Sequence, residues 1–122
     1  MKKILVAEDD KFLANAYRVK LEKAGFEARI ATNGEEALDI MLSFTPDVII
    51  LDLVMPGKDG FATLAEIKNN PKWKNIPVLV ASSLGQKEDV EKATALGAAD
   101  YVIKSDLSMV SLIEKINALS VQ

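Results

Sequence analysis

Short apolar runs alternating with longer amphipathic ones predict an α/β domain, a doubly wound five-stranded parallel sheet with five helices on its two faces. Three observations carry that expectation. The runs Ile4-Leu5-Val6-Ala7, Val48-Ile49-Ile50-Leu51 and Val78-Leu79-Val80-Ala81 are apolar throughout, as strands buried on both faces require. Between them, apolar residues recur every three or four positions, the period of a helix facing a core. Glycine, proline or asparagine stands at most of the junctions.

The elements follow in order. After the first strand, Phe12, Leu13, Ala16, Tyr17, Leu21 and Ala24 form a helical stripe that Gly25 closes. Phe26 to Ala31 sets Phe26, Ala28 and Ile30 against Glu27 and Arg29, the alternation of a half-exposed edge strand. Thr32-Asn33-Gly34 is a turn, and Glu35 to Leu42 a helix with Ala37, Leu38 and Met41 inward. Pro46 precedes the third strand, Val48 to Leu51. Met55 to Gly60 is a loop, and the helix after it carries Phe61, Leu64 and Ile67 as far as Asn69-Asn70-Pro71. Pro77 introduces the fourth strand, and Gln86 to Leu96 is a helix with Val90, Ala93 and Leu96 inward, stopped by Gly97. Tyr101-Val102-Ile103 is the last strand; Leu107 to Leu119 is the last helix, with Val110, Ile113, Ile116 and Leu119 on one face.

The 122 residues, 49% of them hydrophobic, suffice for one core, and no linker or low-complexity tract marks a second domain, so residues 1–122 are expected to form one unit. Absence of cysteine removes thiolate zinc sites, and absence of histidine removes Ser-His-Asp catalysis and histidine metal sites. Four apolar residues between Lys3 and Glu8 are too few for a signal peptide or a membrane span, so a cytoplasmic protein without a membrane partner is expected. The net charge is −3 and no run of basic residues occurs, which argues against direct nucleic-acid binding.

In a doubly wound sheet the binding crevice lies beyond the carboxyl ends of the strands. The first strand delivers Glu8-Asp9-Asp10 to that edge, the third Asp52, the fourth Ser82-Ser83 and the fifth Lys104. Each has an ordinary structural explanation alone: Asp9 or Asp10 caps a helix, Asp52 starts a turn, Ser82 satisfies a backbone group. Together they require a neutralising charge, because neighbouring carboxylates raise one another's pKa. An all-oxygen, histidine-free set suits Mg²⁺, with Lys104 as a second positive charge. Asp52 is then a candidate nucleophile that accepts a phosphoryl group, with the Ser82 hydroxyl donating to a phosphoryl oxygen.

The segments ILVAEDD, VIILDLVMPGKDG, IPVLVASS and GAADYVIK, in this order and spacing, resemble the receiver domain of bacterial two-component response regulators over Lys3 to about Leu119. The resemblance implies the strand order 2-1-3-4-5 of the flavodoxin-like, CheY-like sheet. It further implies that Asp52 is the phosphoacceptor and that Glu8, Asp9, Asp52 and the backbone carbonyl of Val54 hold Mg²⁺. Ser82 and Tyr101 become the switch pair, and Lys104 the phosphoryl-pairing lysine. The implied partners are a sensor histidine kinase or histidine phosphotransfer protein, and a downstream protein target or fused output domain. The resemblance implies an output surface on the fourth helix, fifth strand and fifth helix, in a monomer or a phosphorylation-dependent dimer. The function it implies is a phosphorylation-activated signalling switch of a phosphorelay, not an enzyme, assisting only its own phosphorylation and dephosphorylation.

Two departures from the family pattern stand out. Ser105 replaces the usual proline after the lysine, so a trans Lys104–Ser105 bond is expected, with Ser105 or Asp106 capping the last helix. Val54 and Leu84 are apolar where polar residues orient an attacking water in other receivers, so slow self-dephosphorylation is expected. Three competing readings are weaker. A flavodoxin-like carrier would need a Ser/Thr/Gly-rich loop where Glu8-Asp9-Asp10 stands, and a haloacid-dehalogenase-like phosphatase would need an acid at Val54. A degenerate receiver would have lost one or more of Glu8, Asp9, Asp52, Ser82 and Lys104.

Overall fold

The computed structural model describes residues 1–106 and 108–120. Strands β1 (Lys3–Ala7), β2 (Glu27–Ala31), β3 (Val48–Leu51), β4 (Val78–Ser82) and β5 (Asp100–Ile103) alternate with helices α1 (Lys11–Lys23), α2 (Gly34–Met41), α3 (Gly60–Asn69), α4 (Lys87–Ala95) and α5 (Met109–Leu119). All strand pairs are parallel and the order is β2-β1-β3-β4-β5, as the sequence predicts.

The period-two geometry of a strand divides each apolar run between two cores. Leu5, Ala7, Ile49, Leu51, Val78 and Val80 face α2, α3 and α4, where Ala37, Met41, Leu64, Ile67 and Ala93 meet them. Ile4, Val6, Val48, Ile50, Leu79 and Ala81 face α1 and α5, where Tyr17, Leu21, Leu112 and Ile116 meet them. Each fully buried Leu or Ile contributes roughly 1.5–3 kcal/mol relative to an exposed one, so the two layers fix the sheet and thereby the positions of its carboxyl ends.

The starts of α1, α2, α3 and α5 are sealed by side chains, whereas α4 begins without a side-chain cap. Asp10 caps α1 by accepting from the Phe12 and Leu13 amides at 2.9 and 3.1 Å. Asn33 accepts from Glu36 N–H while the Glu36 carboxylate accepts from Thr32 N–H, both at 2.8 Å, a reciprocal box that starts α2. Asp59 caps α3. Gly25 and Gly97, at φ +93° and +109°, end α1 and α4 in a conformation that other residues rarely adopt.

Several expectations are corrected. Phe12 is not on the buried face of α1 but 91% exposed; Ala14, two residues or 200° further round, takes the inward place beside Tyr17 and Leu21. Ala16 is only half-buried, and Ala24 is exposed at the end of the helix. In α5, Val110 is 73% exposed because Leu112 and Ile116 define the inner face. A 3₁₀ turn over Lys104–Asp106 separates β5 from α5, so Ser108 rather than Ser105 or Asp106 caps α5, accepting from Ser111 N–H at 3.1 Å. The predicted start of this helix at Leu107 lies outside the described residues. Among the described residues no cis peptide bond occurs, so Lys104–Ser105 is trans as expected.

Candidate functional site

The carboxyl ends of β1, β3 and β5 bring Glu8, Asp52 and Lys104 into contact. β1 and β3 pair in register up to Ala7 opposite Leu51, so the residues that follow, Glu8 and Asp52, leave the sheet side by side. Glu8 is 2% and Asp52 3% exposed. The Lys104 ammonium bridges them, 2.6 Å from Glu8 Oε1 and 2.9 Å from Asp52 Oδ2. Two backbone amides complete the arrangement: Asp10 N–H donates to Glu8 Oε2 at 3.1 Å, and Val54 N–H donates to Asp52 Oδ1 at 3.1 Å.

Burial and pairing pull against each other here. Burial raises the Glu8 pKa above its ordinary value, and the hydrogen bonds from Lys104 and the Asp10 amide only partly offset it. Burial alone would lower the pKa of Lys104, but the hydrogen bonds and charges of Glu8 and Asp52 overcome it and the pKa is raised. Glu8 is the deeper member of the pair, so desolvation weighs most on it. The ammonium remains a firm cation.

Carboxylate oxygens of Glu8, Asp9 and Asp52 lie within 4.8 Å of one another, with Asp9 exposed and the other two buried. This all-oxygen set, open on the Asp9 side, fits a small hard cation that keeps several waters, and it does not suit a soft metal. The Val54 side chain is half-exposed at the rim.

Ser82, at the end of β4, is fully buried, and its Oγ accepts from Leu84 N–H at 3.2 Å. Tyr101 in β5 reaches across to the same loop, where its hydroxyl donates to the Leu84 carbonyl at 2.5 Å. The ring is half-buried against the core beneath α4, and burial raises its pKa. Tyr101 therefore links β5 to the segment that connects β4 to α4. Helix α4 beyond it is lightly anchored, with Ala93 as its buried residue.

The structure thus gathers Glu8, Asp9, Asp52 and Lys104 into one cluster and sets Ser82 and Tyr101 on its β4–β5 side. Asp10, adjacent in sequence, turns away and acts as a helix cap. One feature near the cluster escaped the reading of the sequence. Tyr17 sits on the buried stripe of α1 as predicted, but among the described residues its hydroxyl has no hydrogen-bond partner. A polar atom at an interior stripe position was the available signal.

Comparison with known proteins places this constellation in a family. The response regulator receiver domain profile matches residues 4–117. The chemotaxis protein CheY of Halobacterium salinarum is 35% identical over 103 residues, which cover 84% of this chain and 84% of that one. The DNA-binding dual master transcriptional regulator RpaA of Synechocystis sp. is 33% identical over 104 residues, 85% of this chain but only 43% of RpaA. Among solved structures, the Mn²⁺-bound form of response regulator Rcp1 superposes with a TM-score of 0.82 at 31% identity, covering 98% of this chain and 90% of that one.

The chain belongs to the receiver domains of two-component response regulators. Such domains are signalling switches and not enzymes in the usual sense, and neither the flavin-carrier nor the phosphatase alternative finds support. The chain spans less than half of the length of RpaA and of the algal ycf27 transcriptional regulators that it also matches. Among the described residues no helix is long and apolar enough to cross a membrane.

Proposed function

We propose that Asp52 accepts a phosphoryl group from a phosphohistidine on a partner protein, and that the phosphoryl group biases the surface of α4, β5 and α5. The observation that carries this reading is a buried carboxylate held between an ammonium and two further carboxylates. A carboxylate oxygen of Asp52 forms the new O–P bond as the N–P bond of the partner's phosphohistidine breaks, and the electron pair leaves on the imidazole nitrogen. Glu8, Asp9, Asp52 and the Val54 carbonyl would hold Mg²⁺, which would supply positive charge against the phosphoryl oxygens. That the similar response regulator Rcp1 has a Mn²⁺-bound form supports a divalent ion for this chain as well.

Lys104 then exchanges Glu8 for a phosphoryl oxygen, and the Ser82 hydroxyl donates to another. Since Leu84 is tied to both Ser82 and Tyr101, movement of Ser82 pulls the loop and the ring together. The light anchoring of α4 lets that pull reach the surface. Phe12, exposed at the start of α1, and Val54 give the rim an apolar landing for a partner kinase or phosphotransfer protein. Residues 1–122 act as one cytoplasmic receiver unit whose output is a separate protein or an attached domain. DNA binding, as in RpaA, would belong to that output and not to this surface.

Treatment with acetyl phosphate and Mg²⁺ should therefore modify Asp52 alone. The apolar pair Val54 and Leu84 leaves no side chain to orient an attacking water, so the phosphoryl group should be long-lived. Leu84→Glu should shorten its lifetime severalfold, measured as phosphate loss from the purified phosphoprotein; an unchanged or longer lifetime would count against this role.

A further inference from the structure

Tyr17 presents a contradiction that the site as described does not resolve. It is 1% exposed, and its ring fits the apolar layer of Ile4, Val6, Leu112 and Ile116. Its oxygen, among the described residues, is a buried side-chain polar atom without a partner. Phenylalanine would fill the same space without leaving a donor unmet, so the hydroxyl carries a desolvation cost that the resting structure does not offset. Val6 belongs to the layer that holds Tyr17, and Glu8, two residues on and still paired to β2 through its N–H to the Ala31 carbonyl at 2.9 Å, follows it along the same face of β1, so the phosphoacceptor cluster lies at the carboxyl end of this layer. Burial first, and the Glu8 charge second, push its pKa up to about 12, so the group keeps its proton and can act as a donor.

Glu8 is the acceptor with capacity to spare. Its carboxylate receives Lys104 on Oε1 and the Asp10 amide on Oε2, whereas a carboxylate has about four acceptor positions. Loss of Lys104 would leave this 2%-exposed carboxylate one backbone donor, the Asp10 amide, beside any Mg²⁺ it helps to hold. We propose that Tyr17 is a positioning residue whose hydroxyl engages Glu8, directly or across one buried water, when Lys104 leaves Glu8 for a phosphoryl group on Asp52. The inference rests on the phosphoacceptor reading of Asp52 and extends it. Tyr17 keeps the Glu8 carboxylate in place in the phosphorylated state and idles in the resting one.

The test compares the full chain with Tyr17→Phe in three measurements. In urea without Mg²⁺, Tyr17→Phe should unfold at the same or a higher midpoint, because the resting hydroxyl has no partner to lose. With Mg²⁺, its affinity for beryllofluoride, a phosphoryl mimic, should be about tenfold weaker than wild type, the worth of one hydrogen bond to a charged group. A metal-free cycle is independent of both ligands: in a Lys104→Met background, where Glu8 has lost its ammonium, Tyr17→Phe should lower the urea midpoint. A lowered midpoint in the resting single variant, equal beryllofluoride affinities, or additive midpoints would each overturn the proposal. If wild type itself binds no beryllofluoride, the reading of Asp52 fails, and the metal-free cycle alone decides for or against Tyr17.

Discussion

Lys104→Met should lower the unfolding free energy at pH 7 by about 3 kcal/mol, the low end of what breaking a buried ion pair costs. Among the described residues, Lys104 is the one cation within reach of two carboxylates that are nearly inaccessible to water. Methionine preserves the length and packing of the stem, so the loss isolates the charge. The lysine side chain is 21% exposed, which lets water soften the cost and places it at the lower end of the range. The deficit should depend on pH. Burial already raises the pKa of Glu8 from its ordinary 4.5, and loss of Lys104 removes the largest opposing influence. A carboxyl with a raised folded-state pKa binds its proton more tightly in the folded than in the unfolded protein. Its stabilising contribution is therefore complete below pH 4.5 and is lost as pH rises through the raised folded value. Urea titrations should accordingly show the variant close to wild type in acid and furthest from it at neutrality. A pH-independent difference would show that the Lys104 stem, and not its charge, matters.

Gly60→Ala should damage both stability and phosphorylation. A Cβ on Gly60 would lie 2.6 Å from the Asp52 carbonyl oxygen and 2.8 Å from that of Leu53, and closer still to Leu53 Cα. These are backbone atoms of the segment that carries the acceptor, so no side-chain rotation relieves the clash. Overpacking of this kind costs about 3 kcal/mol. Displacement of the Asp52 backbone should in addition slow phosphoryl acceptance by roughly 100-fold, as misplacement of a reacting group by about 1 Å does. Gly57→Ala is the control. Its Cβ meets nothing within 4 Å, and its φ of +75° leaves only the strain of a left-handed alanine, about 1 kcal/mol. Equal effects at the two glycines would contradict the claim that close approach behind Asp52 is what requires Gly60.

Much of the site was legible because chain order and sheet geometry coincide. Val48 to Leu51 had to be a central strand, and the residue after a parallel strand had to face the crevice, so Asp52 followed from its neighbours alone. The same logic delivered Glu8 and Lys104 to the edge, but not their direct contact, which depends on the reach of a flexible lysine. Apolar spacing misplaced Phe12 and Val110, because a period of three or four selects a face only when the true inner positions are known, and Ala14 and Leu112 claimed those. The cap of α5 moved to Ser108 because a 3₁₀ turn, invisible in the periodicity, intervenes. For Tyr17 the stripe told where the ring would go and nothing of whether its oxygen would find a partner.

The central claim is that Asp52 is the sole phosphoacceptor and that its cluster uses a divalent cation. Intact-mass and peptide-level mass spectrometry after acetyl phosphate treatment tests it most directly, with wild type and Asp52→Ala each assayed with Mg²⁺ and with chelator. One added phosphoryl group on the peptide containing Asp52, present only in wild type with Mg²⁺, is the result expected. Phosphorylation that persists in Asp52→Ala, or that is indifferent to Mg²⁺, would contradict the account.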